Sequence, residues 1–102
     1  MAAIESKKAL RGLILHRLYI NYPHGILEQD LRHGFYTIGF LPQEVDKALQ
    51  FVVDKGYVIV EKKDLKSLRL GIQKVYRLTP KGIALCEGEI EDKLIILPKE
   101  NG

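Results

Sequence analysis

The strongest constraint on the fold is an amphipathic helix that stops at a glycine and is followed at once by a strand. Pro42 suits the first position of a helix, because the N–H that proline lacks would have no helical partner there. Apolar side chains then recur at helical spacing, at Val45, Ala48, Leu49, Val52 and Val53. Gly56 ends the helix. Residues 57–61 read Tyr-Val-Ile-Val-Glu, an aromatic and β-branched run that is typical of a strand.

Two helices are predicted before this junction. The first spans about 6–22, with Ser6 as its cap and Pro23 immediately after its end. The second is short and spans about 27–34. The aromatic and glycine-containing segment 35–40 predicts a turn or a distorted last helical turn.

A second strand and a last helix are predicted after the junction. Residues 75–78, Val-Tyr-Arg-Leu, suit a partner strand, and 62–74 form the long polar loop of the resulting hairpin. Thr79 and Pro80 suit the cap and first turn of a helix that continues through Cys86 into the acidic stretch. The pattern as a whole predicts an α+β, mainly helical fold with the helices first.

Two of these segments resemble the winged helix-turn-helix proteins of bacteria. Residues 41–58, LPQEVDKALQFVVDKGYV, are similar to the third helix and first wing strand, and 75–82, VYRLTPKG, to the return strand and the start of the final helix. The resemblance implies a three-helix core, a two-stranded wing and a C-terminal helix in residues 1–88. Residues 89–102 are then a C-terminal extension. Residues 78–92 also resemble small winged-helix proteins of Mu-like phages and prophages, which implies a regulatory phage protein.

Positive charge is concentrated in one part of the sequence. The 102 residues carry a formal net charge of +3. Residues 62–81 hold seven basic side chains and only one acidic side chain, Asp64, whereas 82–102 are acidic and 1–61 are balanced. Such a concentrated basic segment predicts binding to a polyanion.

The resemblance implies that the third helix reads bases in the major groove while the wing contacts the backbone or a minor groove. The candidate base-reading residues lie on the polar side of that helix and are Gln43, Lys47 and Gln50. The candidate phosphate-binding residues lie on the wing and are Lys62, Lys63, Lys66, Arg69 and Lys74. Arg69 also suits a narrow minor groove. These assignments predict a DNA-binding transcriptional regulator.

Two acidic residues support an alternative function. Glu44 and Asp46 lie in the first turn of the third helix, where the helix dipole favours acidic side chains. They would repel DNA if they faced it. A winged-helix module that docks on another protein without binding DNA directly therefore remains a second hypothesis.

Other chemistries have little support in the sequence. An enzyme is not expected, because the only serines, Ser6 and Ser67, fall at a predicted helix cap and in the wing, and no glycine-rich phosphate loop is present. No metal or cofactor is expected, because His16, His24 and His33 fit no ligand spacing and Cys86 is the only cysteine. No apolar run is long enough to span a bilayer, and a cytoplasmic location is expected.

The apolar run 94–97, Leu-Ile-Ile-Leu, follows the last predicted helix. We expect it either to fold back as an edge strand or to pair with a second subunit. A homodimer is the expected state, because two half-sites increase both the specificity and the number of phosphate contacts of a small DNA-reading domain.

Overall fold

Four helices and a three-stranded antiparallel sheet make up the structure, a computed structural model that describes the backbone of residues 2–99 and the side chains of residues 5–99. In chain order the elements are α1 (Ala2–Asn21), β1 (Ile26–Leu27), α2 (Glu28–Tyr36), α3 (Pro42–Asp54), β2 (Val58–Leu65), β3 (Gly71–Leu78) and α4 (Pro80–Cys86). The predicted α+β class is confirmed, with about half of the residues helical.

The predicted two-stranded hairpin is present as β2 and β3, and the sheet also contains a third strand, β1, which was not predicted and lies on the far side of β3. The strand order is β1-β3-β2, and β1 pairs with β3 through Ile26–Tyr76 and Leu27–Val75. A two-residue strand carries no recognisable alternation of its own. It takes a strand conformation because it pairs with a segment far away in the sequence.

The hairpin strands are longer than predicted, and 62–74 do not form a loop. Pairing between β2 and β3 runs from Val58–Leu78 to Leu65–Gly71, so Lys62, Lys63 and Lys74 belong to strands. Only residues 66–70 connect the strands, and they include a single 3₁₀ turn at Lys66–Leu68. The sequence did not show this extension, because the outer part of the hairpin is mostly exposed on both faces and lacks apolar alternation.

The signals predicted around α3 are confirmed. The helix begins at Pro42 and ends at Asp54, and Gly56 follows with a φ of +83°, which favours glycine. Thr79 caps α4 as predicted, since its Oγ1 accepts a hydrogen bond from the Gly82 N–H at 3.1 Å.

Three helix boundaries differ from the prediction. Helix α1 already begins at Ala2, so Ser6 lies inside it rather than capping it. Helix α2 covers Glu28–Tyr36 and so includes the first two residues of the predicted turn. Helix α4 ends at Cys86 instead of continuing into the acidic stretch, and Gly88 follows with a φ of +81°.

The described part of the C-terminal extension packs against α1 and forms no strand there. The Ile96 N–H donates to the Lys8 carbonyl at 3.1 Å, and Ile95 is buried in the core. The tail approaches α1 closely at Gly12, where an added Cβ would lie 1.8 Å from the Ile96 carbonyl oxygen. The prediction of an edge strand was therefore wrong for residues up to 99: one backbone hydrogen bond and the buried Ile95 hold the segment on a helix, not on the sheet.

The core lies between α1 and the other elements. The most deeply buried side chains come from α1, α2 and α3 and are Leu10, Ile14, Leu15, Leu18, Leu31, Val45 and Val52. Within residues 2–99, no helix combines the length and the apolar character needed to cross a bilayer.

Candidate nucleic-acid interface

Helix α3 presents one polar face to solvent. Gln43, Lys47 and Gln50 are exposed and follow one another at intervals of four and three residues, so they share that face. The opposite face is buried through Val45, Ala48, Leu49 and Val52. The structure therefore brings the three predicted base-reading residues together on one exposed surface.

These three side chains differ in their availability for a ligand. The Gln50 amide donates to Asp54 Oδ1 at 2.7 Å, so part of its hydrogen-bonding capacity is already used. Among residues 5–99, Gln43 and Lys47 have no side-chain hydrogen bond or ion pair. Gln43 and Lys47 are thus the stronger candidates for contact with bases.

The two acidic residues near the start of α3 have structural roles, although only Glu44 lies in the first turn. Glu44 Oε1 accepts a hydrogen bond from the Leu41 N–H at 2.8 Å, which caps the helix. The Asp46 carboxylate forms an ion pair with the Arg32 guanidinium of α2. Their presence at this end of α3 is explained by capping and ion pairing, and the Arg32 charge partly offsets that of Asp46.

A network of polar contacts links α3 to the sheet through α2. Arg32 lies 3.6 Å from Glu28, whose Oε2 accepts a hydrogen bond from the Tyr76 hydroxyl at 2.7 Å. Burial and this hydrogen bond raise the pKa of Tyr76 to about 12, so the hydroxyl keeps its proton at neutral pH. The network ties the position of α3 to strand β3.

A groove between α1 and α3 adds a basic residue that the sequence analysis missed. Its volume is about 140 Å³, and its lining includes Lys7 of α1 together with Gln43 and Lys47 of α3. Lys7 is exposed. Arg11 also lines the groove, but its guanidinium lies 3.7 Å from the centre of the Phe51 ring and donates to the Leu94 carbonyl. Lys7 is therefore the additional cation available next to the polar face of α3.

We call residues 58–78 the basic hairpin. Its outer part carries the five predicted phosphate-binding side chains, which are all exposed: Lys62, Lys63, Lys66, Arg69 and Lys74. In the described part of the chain none of the five takes part in an ion pair. The one acidic residue among them, Asp64, accepts a hydrogen bond from the Lys66 backbone N–H at 3.0 Å. These five positive charges are left available to an external anion.

Lys62 and Lys74 are directly paired across the two strands. Side chains at such positions have Cβ atoms about 5 Å apart, and like charges there destabilise a hairpin by up to about 1 kcal/mol. Lys63 is the next residue along β2 and therefore points to the other face. The basic hairpin thus has cations on both faces, and a bound anion would relieve the repulsion between the two paired lysines.

The acidic C-terminal segment interacts with other parts of the chain. Asp92 lies 3.2 Å from Lys55 Nζ, and its Oδ2 accepts a hydrogen bond from the Tyr57 hydroxyl at 2.6 Å. Glu87 accepts a hydrogen bond from the Tyr19 hydroxyl at 3.0 Å. The partners of these two acidic side chains lie in α1 and between α3 and β2, so Asp92 and Glu87 are not paired with the outer cations of the basic hairpin.

Two other basic residues of the segment 62–81 are already engaged. Arg77 lies 2.9 Å from Glu61, and Lys81 donates to the Lys55 carbonyl at 2.9 Å. Neither was assigned to DNA contact. The basic segment therefore divides into an inner part that stabilises the fold and an outer part that is exposed.

No group of three metal-ligating side chains comes together within the residues that the structure describes. Cys86 packs half-buried against the core, and burial raises the pKa of its thiol to about 11. In this surrounding Cys86 packs as a small apolar group. Comparisons of the chain with protein-family models, with curated proteins and with solved structures found no match.

Proposed function

We propose that this chain is a winged-helix protein that binds duplex DNA, with α3 in the major groove and the basic hairpin against the sugar–phosphate backbone. The order of elements supports this proposal: three helices, a hairpin directly after the third helix, and a fourth helix. A single helix is the element that the major groove accommodates. The exposed face of α3 carries Gln43, which suits adenine, and Lys47, which suits guanine.

The observation that carries the proposal is the set of five exposed cations on the outer part of the basic hairpin, none of them ion-paired within residues 5–99. Phosphate contacts by lysine and arginine supply affinity without sequence preference and position a reading helix. Repulsion between DNA and the carboxylates of Glu44 and Asp46 is the main argument against this function. Because Glu44 caps α3 and Asp46 pairs with Arg32, both residues have a structural role, and the charge of Asp46 is partly offset.

The proposed setting is transcriptional regulation in a bacterium or a phage, by a homodimer that contacts two half-sites. Leu94 and Ile96 remain partly exposed on the tail and are the candidate dimer surface. Light scattering at low protein concentration measures the oligomeric state, and a monomer would overturn the dimer proposal without affecting DNA binding by one domain.

Fluorescence anisotropy with a labelled mixed-sequence duplex tests the function. We expect binding that weakens steeply as salt rises, because phosphate contacts release counterions. Lys62→Ala combined with Lys63→Ala should weaken binding about ten-fold on all sequences and reduce the slope of log K against log salt by about 2.

The matched control is Lys93→Ala combined with Lys99→Ala, which removes the same net charge from the exposed tail. We expect this variant to bind almost as well as the wild type, because the effect depends on where the charge lies. Equal losses in the two double variants would mean that overall charge, rather than the basic hairpin, determines binding.

The alternative function, docking on another protein, is favoured by a separate exposed apolar surface. Ile20 of α1 and Ile38 of the turn after α2 line a shallow pocket with Leu13 and Phe35. Absent or salt-insensitive DNA binding in the titration above would favour this function over the first.

A further inference from the structure

Three apolar side chains are exposed where the basic hairpin projects furthest. Leu68 is 66% exposed, Leu70 42% and Ile72 60%. Single exposed apolar residues are common on protein surfaces. Here, however, three exposed apolar side chains occur within five residues of the most basic segment, and none of them belongs to the core. Their exposure is explained if they contact a binding partner.

The connection that carries Leu68 is held in a defined conformation. The Arg69 N–H donates to the Lys66 carbonyl at 2.9 Å, and the Leu70 N–H donates to the Leu65 carbonyl at 3.1 Å. The Gln73 amide donates to the Leu70 carbonyl. These bonds hold the connection in a compact turn, in which the Leu68 side chain is exposed to solvent.

Arg69 next to it has a φ of +61°, in the left-handed region that few non-glycine residues occupy. The charged residue Arg69 thus directly follows the exposed Leu68 at the end of the hairpin. The five outer cations lie at or within a few residues of the tip: Lys66 and Arg69 in the connection, and Lys62, Lys63 and Lys74 on the strands. A partner must therefore offer an apolar space with negative charges on both sides of it.

Duplex DNA meets that requirement, because stacked bases lie between two rows of phosphates. Proteins that bend DNA from the minor groove insert leucine or isoleucine side chains between base pairs. The three residue steps from the Lys62–Lys74 pair to the Leu65–Gly71 pair carry the tip about 10 Å outward, which exceeds the minor-groove depth of about 7.5 Å.

The following inference rests on the DNA-binding function proposed above. We propose that the basic hairpin enters the minor groove, inserts Leu68 between base pairs and thereby bends the duplex. Arg69 lies in the groove beside it. Leu70 and Ile72 cover the sugars on either side. Lys62 and Lys74 reach the flanking phosphates. An anionic membrane also combines charge with an apolar interior, but the polar, hydrogen-bonding face of α3 suits base edges better than lipid tails.

End-to-end energy transfer in a duplex of about 25 base pairs, labelled with a dye at each end, tests the inference. The wild-type protein should increase the transfer efficiency on binding. Leu68→Ser should abolish that increase and weaken binding about five-fold, but leave the salt dependence unchanged because the cations remain. Ile90→Ser, at an exposed apolar side chain outside both the basic hairpin and the candidate dimer surface, should behave as the wild type.

The outcomes separate this inference from the proposed function. Absence of wild-type binding would overturn both. Salt-dependent binding with a straight duplex, and equal affinity of Leu68→Ser, would overturn the insertion and leave DNA binding intact. Co-sedimentation with phosphatidylglycerol vesicles that Leu68→Ser abolishes, together with a straight duplex, would assign the apolar tip to a membrane surface instead.

Discussion

Arg32 of α2 and Asp46 of α3 form an ion pair that holds the N-terminal half of α3 against α2. Arg32 also contacts Glu28, which accepts the hydrogen bond from Tyr76 of β3. The element proposed to read DNA is therefore held by charges as well as by its buried apolar face. The Arg32 and Asp46 side chains are 30% and 50% exposed, so water weakens their attraction.

A double-mutant cycle measures the contribution of this pair. Arg32→Ala should lower the free energy of unfolding by about 1 kcal/mol, because it removes contacts to both Asp46 and Glu28. Asp46→Ala should cost less, and the coupling between the two sites should be about 0.5 kcal/mol. Urea denaturation provides the values, and additive effects without coupling would show that the pair contributes nothing.

Lys7 should contribute to DNA binding although it lies far from α3 in the sequence. It lines the groove beside Gln43 and Lys47, where a phosphate next to the major groove would lie. Lys7→Ala should weaken binding about three-fold on all sequences and lower the salt slope by about 1. Arg17→Ala removes an exposed cation from another face of α1 and serves as the control. Equal anisotropy curves for Lys7→Ala and the wild type would exclude this contact.

Gln43 and Gln50 should differ in their effect on sequence preference. Gln50 already donates to Asp54, whereas Gln43 has no side-chain partner among residues 5–99. Gln43→Ala should therefore reduce the preference among duplex sequences by about ten-fold, and Gln50→Ala by about two-fold or less. Selection of bound sequences from a random duplex pool compares the variants. A larger effect of Gln50→Ala would mean that its bond to Asp54 breaks on binding.

Gly12→Ala should destabilise the fold although alanine favours helices. The new Cβ would lie 1.8 Å from the Ile96 carbonyl oxygen, so the tail would have to move off α1. We expect a loss of about 2 kcal/mol in urea denaturation and faster proteolysis of the tail.

Gly34→Ala in α2 is the matched control, because its Cβ would meet only the flexible end of Arg17 at 2.9 Å. This variant should be neutral or slightly stabilising, since alanine has the higher helix propensity. Similar losses in both variants would show that the contact with the tail is not the cause.

The contacts of the Asp92 carboxylate should make the free energy of unfolding depend on pH. Burial would raise the pKa of Asp92, but the hydrogen bonds from Tyr57 and Leu94 and the charge of Lys55 outweigh it and lower the pKa. The unfolded value is about 3.9. The stabilisation is therefore complete above about pH 5 and is lost as the pH falls through the lower folded value.

Asp92→Asn should be less stable than the wild type by about 1 kcal/mol at pH 7, and this difference should shrink below about pH 4. Urea denaturation across that pH range measures it. A difference that stays constant down to pH 2 would mean that Asp92 is not the titrating group.

Local signals predicted the centre of the molecule well, and pairing at a distance was harder to predict. The start of α3 at Pro42 and its end before Gly56 depend on backbone restrictions within a few residues. Strand β1 was missed because it exists only through its pairing with β3. The outer part of the basic hairpin was taken for a loop, because its ladder continues where few side chains are buried.

The candidate site was predictable to a similar degree. Helical periodicity alone placed Gln43, Lys47 and Gln50 on one face of α3. The bond from Gln50 to Asp54 depends on rotamers, and the approach of Lys7 depends on how α1 packs against α3. Neither has a signature in a single sequence. Contact of any of these residues with DNA stays a prediction.

The close approach at Gly12 has an evolutionary consequence. Any side chain at position 12 would collide with the main chain of the tail, so glycine there is useful only while the tail lies across α1. Among descendants of a common ancestor, loss of the segment around Ile96 should release position 12 to alanine or larger residues. If Gly12 and the segment around Ile96 are gained and lost together, their joint presence identifies the lineages in which the tail packs across α1.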